Sequence, residues 1–195
     1  MLGGRDDLNE KAAILRRARR INVVGTSGSG KTTFSRRLAA ALGLPLHEMD
    51  RLFWLPGWQS RPEEDFMARV GDAVSGAEWI LDGNYNRSQA VKWARVECVV
   101  WIDYSFARTM WQAVRRALVR SIGRQEIWPG TGNRESLRKS FFSRESILLW
   151  TLTTYRSNRA RYQEMMGEEG RSFAVVRVGS RREAARLLGM LGEGA

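Results

Sequence analysis

No stretch of this 195-residue chain approaches the roughly 18 consecutive apolar residues of a membrane span, so a transmembrane protein is not expected. Met1 to Glu10 is polar and acidic and lacks the apolar core of a secretory signal. There is one cysteine, Cys98, which by itself forms neither an internal disulfide nor a cysteine-based zinc site. It sits in the apolar run Cys98-Val99-Val100-Trp101-Ile102 and reads as a small buried hydrophobe. These absences together point to a cytoplasmic protein. The single histidine, His47, lies within a strand-like segment with no serine or cysteine partner evident, which favours a structural role over general-base catalysis. Lysine is nearly as scarce. Only Lys11, Lys31, Lys92 and Lys139 contribute to the 32 basic residues, so the net charge of +11 is carried by arginine. Arginine's planar fork suits phosphate and nucleic acid. A coding bias with solvated side chains accounts for most of these residues, though not for where they cluster. Internal repeats and low-complexity segments are also missing. With 43% hydrophobic residues, the chain can build one globular domain over residues 1–195.

What is present alternates. Residues 6–20 read as a helix with a thin apolar stripe of Leu8, Ala12 and Leu15, a surface extension leading into the first strand. Ile21 to Val24, Leu46 to Met49, Glu78 to Leu81, Cys98 to Ile102 and Phe173 to Val178 read as strands. Helices are expected over about 31–42, 61–74, 88–94, 106–120, 143–166 and from Ser180 to Met190. Ser60 with Glu63 and Ser180 with Glu183 have capping-box spacing. The strands are apolar runs rather than alternating patterns, which fits a parallel sheet covered on both faces. In such sheets ligands bind beyond the carboxyl ends of the strands. Gly25, Asp50, Asp82 and Asp103 are expected at those ends.

Gly25-Thr26-Ser27-Gly28-Ser29-Gly30-Lys31-Thr32 fits the phosphate-binding pattern G-x-x-x-x-G-K-[ST] at every fixed position. A strand enters it, and a helix carrying Phe34, Leu38 and Leu42 leaves it. Glycines let successive N–H groups point inward at phosphate oxygens, and the helix start adds unpaired donors and a partial positive charge. Residues Gly25 to Thr33 are therefore the expected nucleotide-binding segment. Lys31 would reach the β- and γ-phosphates, and the Thr32 hydroxyl would take a Mg²⁺ position.

Beside such a loop, carboxylates at strand ends suit phosphoryl transfer, either organising Mg²⁺ or positioning an acceptor hydroxyl. Asp50 and Asp82 are the candidates, and Asp103 is at least as well explained as a helix cap. Arginines gather around the glycine-containing segment 121–135, and Arg116, Arg120 and Arg124 are the expected lid residues stabilising the transferring group. The lid is expected over about 121–142. Trp54-Leu55-Pro56-Gly57-Trp58 either walls an acceptor pocket or anchors the next helix. Trp79, Trp93, Trp101, Trp111 and Trp150 read as packing.

The glycine-rich loop, Asp50 with Trp54 to Trp58, and Trp79-Ile80-Leu81-Asp82-Gly83-Asn84-Tyr85 resemble adenylate-kinase-like P-loop proteins. Within them the match is to the group labelled DNA topology modulation proteins. The resemblance covers roughly residues 20–180. It implies a three-layer α/β P-loop NTPase fold with a five-stranded parallel sheet, ATP or GTP with Mg²⁺, and a small arginine-rich lid. Asp82 stands where adenylate kinases carry the aspartate of a D-G-F-P-R block. Here Arg87 comes one residue late and the Phe-Pro pair is missing. The segment after the second strand has Arg51 and Trp54 to Trp58 in place of the pattern that grips AMP, so the acceptor stays open.

The expected activity is phosphotransfer from ATP to a nucleotide or small-molecule acceptor, with Lys31, Asp50, Asp82, Arg116, Arg120 and Arg124 as the catalytic set. The competing expectation is a nucleotide-binding regulator that contacts DNA through its basic surface. A third is a nucleotide hydrolase, disfavoured by the lack of an obvious water-positioning glutamine in these motifs.

Overall fold

The computed structural model describes residues 3–123, 126–127, 131–133, 147–168 and 170–192. Five strands form one parallel sheet: β1 (Arg20–Gly25), β2 (Leu46–Glu48), β3 (Trp79–Asp82), β4 (Cys98–Ile102) and β5 (Ala174–Val178). Their spatial order is β2-β3-β1-β4-β5. The helices are α1 (Gly3–Arg17), α2 (Lys31–Leu42), α3 (Met49–Phe53), α4 (Glu63–Ala73), α5 (Gln89–Trp93), α6 (Phe106–Gly123), α7 (Ile147–Gly167) and α8 (Arg181–Gly192). Each parallel crossover passes through helical structure, as parallel pairing requires.

The strands feed two cores because successive side chains alternate across the sheet. Ile21, Val23, Cys98, Val100 and Ile102 pack on one face with Phe34 and Leu38 of α2 and Leu187 of α8. Val24, Val99 and Trp101 face the other way, toward Phe66 and Val70 of α4 and Tyr162 and Met165 of α7. The expected five-stranded parallel α/β sheet is the observed one.

Four local expectations differ. The first helix is no surface extension: Leu8, Ala12 and Leu15 join the first core, and Lys11 reaches Glu183 of α8 at 2.7 Å. The second strand ends at Glu48, and the chain turns helical so that Met49 and Phe53, four residues apart, both enter the second core. Asp50 is therefore in a helical turn rather than at a strand end. Ser60 makes no cap. It bridges Trp54, and α4 starts behind Pro62 without a side-chain cap. Trp111 is 51% exposed, with the guanidiniums of Arg108 and Arg115 within 5.1 and 5.6 Å of its ring.

Candidate active site

β1 delivers the chain to Gly25, which pairs with Ile102 of β4. A Cβ on Gly25 would stand 2.8 Å from both the Ile102 carbonyl and Ser29 Oγ, so only glycine lets the loop turn here. Gly28, at φ 82°, lies against α6: a Cβ there would come within 2.9 Å of Ala113 Cβ and the Thr109 carbonyl. The loop is also tied from outside. Asn84 clasps Gly25, accepting from its N–H at 3.0 Å and donating to its carbonyl at 2.9 Å. Gln112 donates to the Gly28 carbonyl at 2.8 Å, and Arg108 donates to Gln112 at 3.2 Å. α2 then starts at Lys31, behind Gly30, with no side-chain cap. Its first N–H groups thus lack the partner that a capping side chain would supply, which is the electrostatic basis of anion binding at a helix start.

Asp82 ends β3 opposite Val23 and is 5% exposed. The Thr32 hydroxyl and the Lys31 ammonium lie close by. Burial nevertheless raises its pKa above the ordinary carboxylate value, and the charges of Asp50 and Glu48 push the same way. Its Oδ1 is buried with no hydrogen-bond partner among the described residues. An orphaned carboxylate oxygen beside a threonine hydroxyl offers oxygen donors of the kind a hard divalent cation takes, and the lysine ammonium beside them suits a phosphate oxygen. Among the described residues no group of three histidine, cysteine, aspartate or glutamate side chains could cage a metal. Thr32 and Asp82 are the residues that could hold a Mg²⁺ ion, which is bound by one or two protein oxygens plus substrate phosphates.

Lys31, Thr32, Asp82 and Asp50 thus converge, with Glu48 as a neighbour that the sequence did not signal. Arg36 and Arg51 hold Glu48 by ion pairs of 2.6 and 3.3 Å. Asp50 is exposed, and its Oδ1 accepts a 2.7 Å hydrogen bond from Tyr85. Burial and the Asp50 charge hold the Tyr85 hydroxyl well above its ordinary pKa, so it stays a donor. Tyr85 adopts φ 27°, a strained value for a non-glycine residue. Its ring packs on Phe53 and Phe66 at 5.0 and 5.2 Å. Trp54 and Trp58 stand edge to face at 5.6 Å next to Phe53. Buried Asn133 pins this loop, accepting from the Trp58 N–H and donating to the Leu55 carbonyl, both at 2.9 Å.

Arg116 reaches the phosphate loop, donating to Ser27 Oγ at 3.4 Å. Arg120 belongs to α6, but its side chain lies outside the described residues, as does Arg124. Of the expected lid segment 121–142, only 121–123, 126–127 and 131–133 are described. Thr33 is exposed in the first turn of α2. Asp103 is held by two arginines rather than capping a helix. It receives Arg177 at 2.6 Å and Arg159 at 3.2 Å, and Ser105 accepts the capping bond from the Arg108 N–H at 3.4 Å. Burial lowers the pKa of His47 in β2 and pushes the Cys98 thiol up to about 12, which keeps the thiol protonated.

Asn84, Gln112 and Asn133 were not singled out as site residues. Asn84 had a signal, its place two residues past Asp82. Gln112 and Asn133 had none, because their partners lie 84 and 75 residues away in the chain.

No protein-family model matches this sequence, and no curated protein does. Solved structures do match. A shikimate kinase from Acinetobacter baumannii, in complex with shikimate, has a TM-score of 0.54 at 15% identity, covering 92% of this chain and 94% of that chain. A gluconokinase from Sinorhizobium meliloti 1021 has a TM-score of 0.46 at 20% identity, covering 89% of this chain and 93% of that chain. The chain therefore has an α/β fold shared with a small-molecule kinase, built on a five-stranded parallel sheet.

Proposed function

We propose that this protein is a nucleotide-dependent phosphotransferase, moving the γ-phosphoryl group of ATP or GTP to a small hydroxylated acceptor or a nucleotide. The observation that carries the proposal is the buried Asp82, with one oxygen unpartnered among the described residues, beside Lys31 and Thr32 at the end of a glycine loop. The uncapped start of α2 and the loop amides would bind the triphosphate. Lys31 would follow the charge on the β- and γ-oxygens, and Arg116 is near enough to Ser27 to join it. Thr32 and Asp82 would hold a Mg²⁺ ion, which supplies neutralisation of charge on the transferring group. Asp50, exposed and polarised by Tyr85, is suited to orient an acceptor hydroxyl next to the Trp54 and Trp58 wall. Catalysis of this kind is chiefly positioning and electrostatics. The shikimate kinase that shares the fold supports the class. The narrower kinship with DNA topology modulation proteins rests on the three sequence blocks alone.

The test is coupled ADP or GDP release across nucleoside monophosphates and small polyols and hydroxy acids, shikimate and gluconate among them. At least one acceptor should raise turnover well above hydrolysis, and Lys31→Ala should abolish the increase. Release that stays at the hydrolytic rate with every acceptor refutes phosphotransfer.

A further inference from the structure

We propose that Lys92 is a positioning residue of the nucleotide site, holding from within the core the turn whose asparagine clasps the first residue of the phosphate loop. The inference rests on the nucleotide-binding reading of that loop and adds the device that sets its entry point.

Lys92 is 1% exposed on α5, a position where lysine is rarely found without a carboxylate partner. Its partners among the described residues are carbonyl oxygens. The ammonium donates to the Asn84 carbonyl and, at 3.5 Å, to that of Gly83. An apolar side chain would fill the same volume without the desolvation penalty, so stability alone does not explain a lysine here. Burial lowers its pKa to about 7. The neutral amine keeps two N–H donors, so the contact does not require the charge.

The turn it holds is unusual. Gly83 lies at φ 144° and Tyr85 at φ 27°, on either side of Asn84. Such backbone persists only where its surroundings over-determine it. Asn22 supplies a second constraint, donating to the carbonyls of Leu81 at 2.9 Å and Gly83 at 3.2 Å. Trp93, next to Lys92, orients Asn22 through a 3.0 Å hydrogen bond to its Oδ1. α5 thus contributes two adjacent side chains to one buried network. The network flanks Asp82, from the Leu81 carbonyl to Asn84, and ends on both backbone groups of Gly25. A shift of the Asn84 carbonyl would move the asparagine clasp and, through Gly25, the amides that face the phosphates.

The experiment is a double-mutant cycle on Mg²⁺–ATP affinity, measured by calorimetry, with urea unfolding of each variant alongside. Lys92→Met and Asn84→Ala should each weaken binding about tenfold, the lower end for residues that orient a binding shell. The double variant should bind no more weakly than Asn84→Ala alone, because both changes release the same clasp. Lys92→Arg, which keeps donors at the site, should recover most of the loss. If Lys92→Met does not fold, Lys92→Leu, which also lacks a donor, takes its place in the cycle with the same expectation. Wild-type affinity in the Lys92 variant, or losses that multiply in the double variant, overturns the positioning role while leaving the nucleotide site intact. Failure of the wild-type protein itself to bind Mg²⁺–ATP overturns the nucleotide reading, and the inference with it.

Discussion

The surroundings of Asp82 disfavour its charged form. Burial raises its pKa, and Lys31 and Thr32 offset that only in part. A carboxyl whose pKa is higher in the folded than in the unfolded state stabilises the fold at acid pH, and that stability is lost as pH rises through the folded value. Asp82→Asn should therefore raise the urea midpoint at pH 7, with the gain fading below the ordinary carboxylate range. The same variant should lower Mg²⁺-dependent turnover by about a hundredfold or more, in line with the loss of one preorganised electrostatic contact. Parallel urea titrations at pH 4 and pH 7, with a turnover assay, check both halves. A variant that loses stability at pH 7 would show that Asp82 is a structural carboxylate. Its place at the end of an apolar strand was legible in sequence. The orphaned oxygen was not, because it depends on which donors the fold brings near.

Among the elements, α1 is where sequence and structure part most clearly. A stripe of Leu8, Ala12 and Leu15 is what a surface helix would also carry. In the fold these residues are at most 9% exposed, packed into the first core against α8. Leu15→Ala should cost about 3 kcal/mol, within the usual range for a buried leucine, as read from the shift in urea midpoint. A surface position would change by no more than about 0.5 kcal/mol, and a value that small would remove α1 from the core. The P-loop element, by contrast, was legible in full. Its strand, glycines and following helix are contiguous, so local backbone preferences specify them. The aromatic loop was half legible: its sequence showed a turn and two tryptophans, but Asn133, which pins it, arrives from a distant segment.

At the scale of the molecule, the sheet order β2-β3-β1-β4-β5 sets β1 between β3 and β4, so the glycine loop rises beside Asp82. This is the carboxyl edge of a parallel sheet, where ligands of such folds bind. Mg²⁺–ATP at 100 times its dissociation constant should stabilise the folded protein by about 2.7 kcal/mol. Thermal unfolding with and without nucleotide measures the shift, and Lys31→Ala should abolish it. An unshifted transition at millimolar nucleotide would count against the site. Among the described residues no helix is long and apolar enough to cross a membrane.

The chain order of residues was enough to specify the glycine loop between strand and helix, the apolar strands, the parallel α/β class and Asp82 as a strand-end carboxylate. Each of these follows from local geometry: side-chain periodicity, glycine conformations and the spacing of a continuous motif. Strand order, the turn at Asp50, the burial of α1 and the ties from Asn84, Gln112, Asn133 and Lys92 came from packing. Those depend on contacts between segments far apart in the chain, whose closure is governed by the fit of the two cores rather than by any neighbour in sequence.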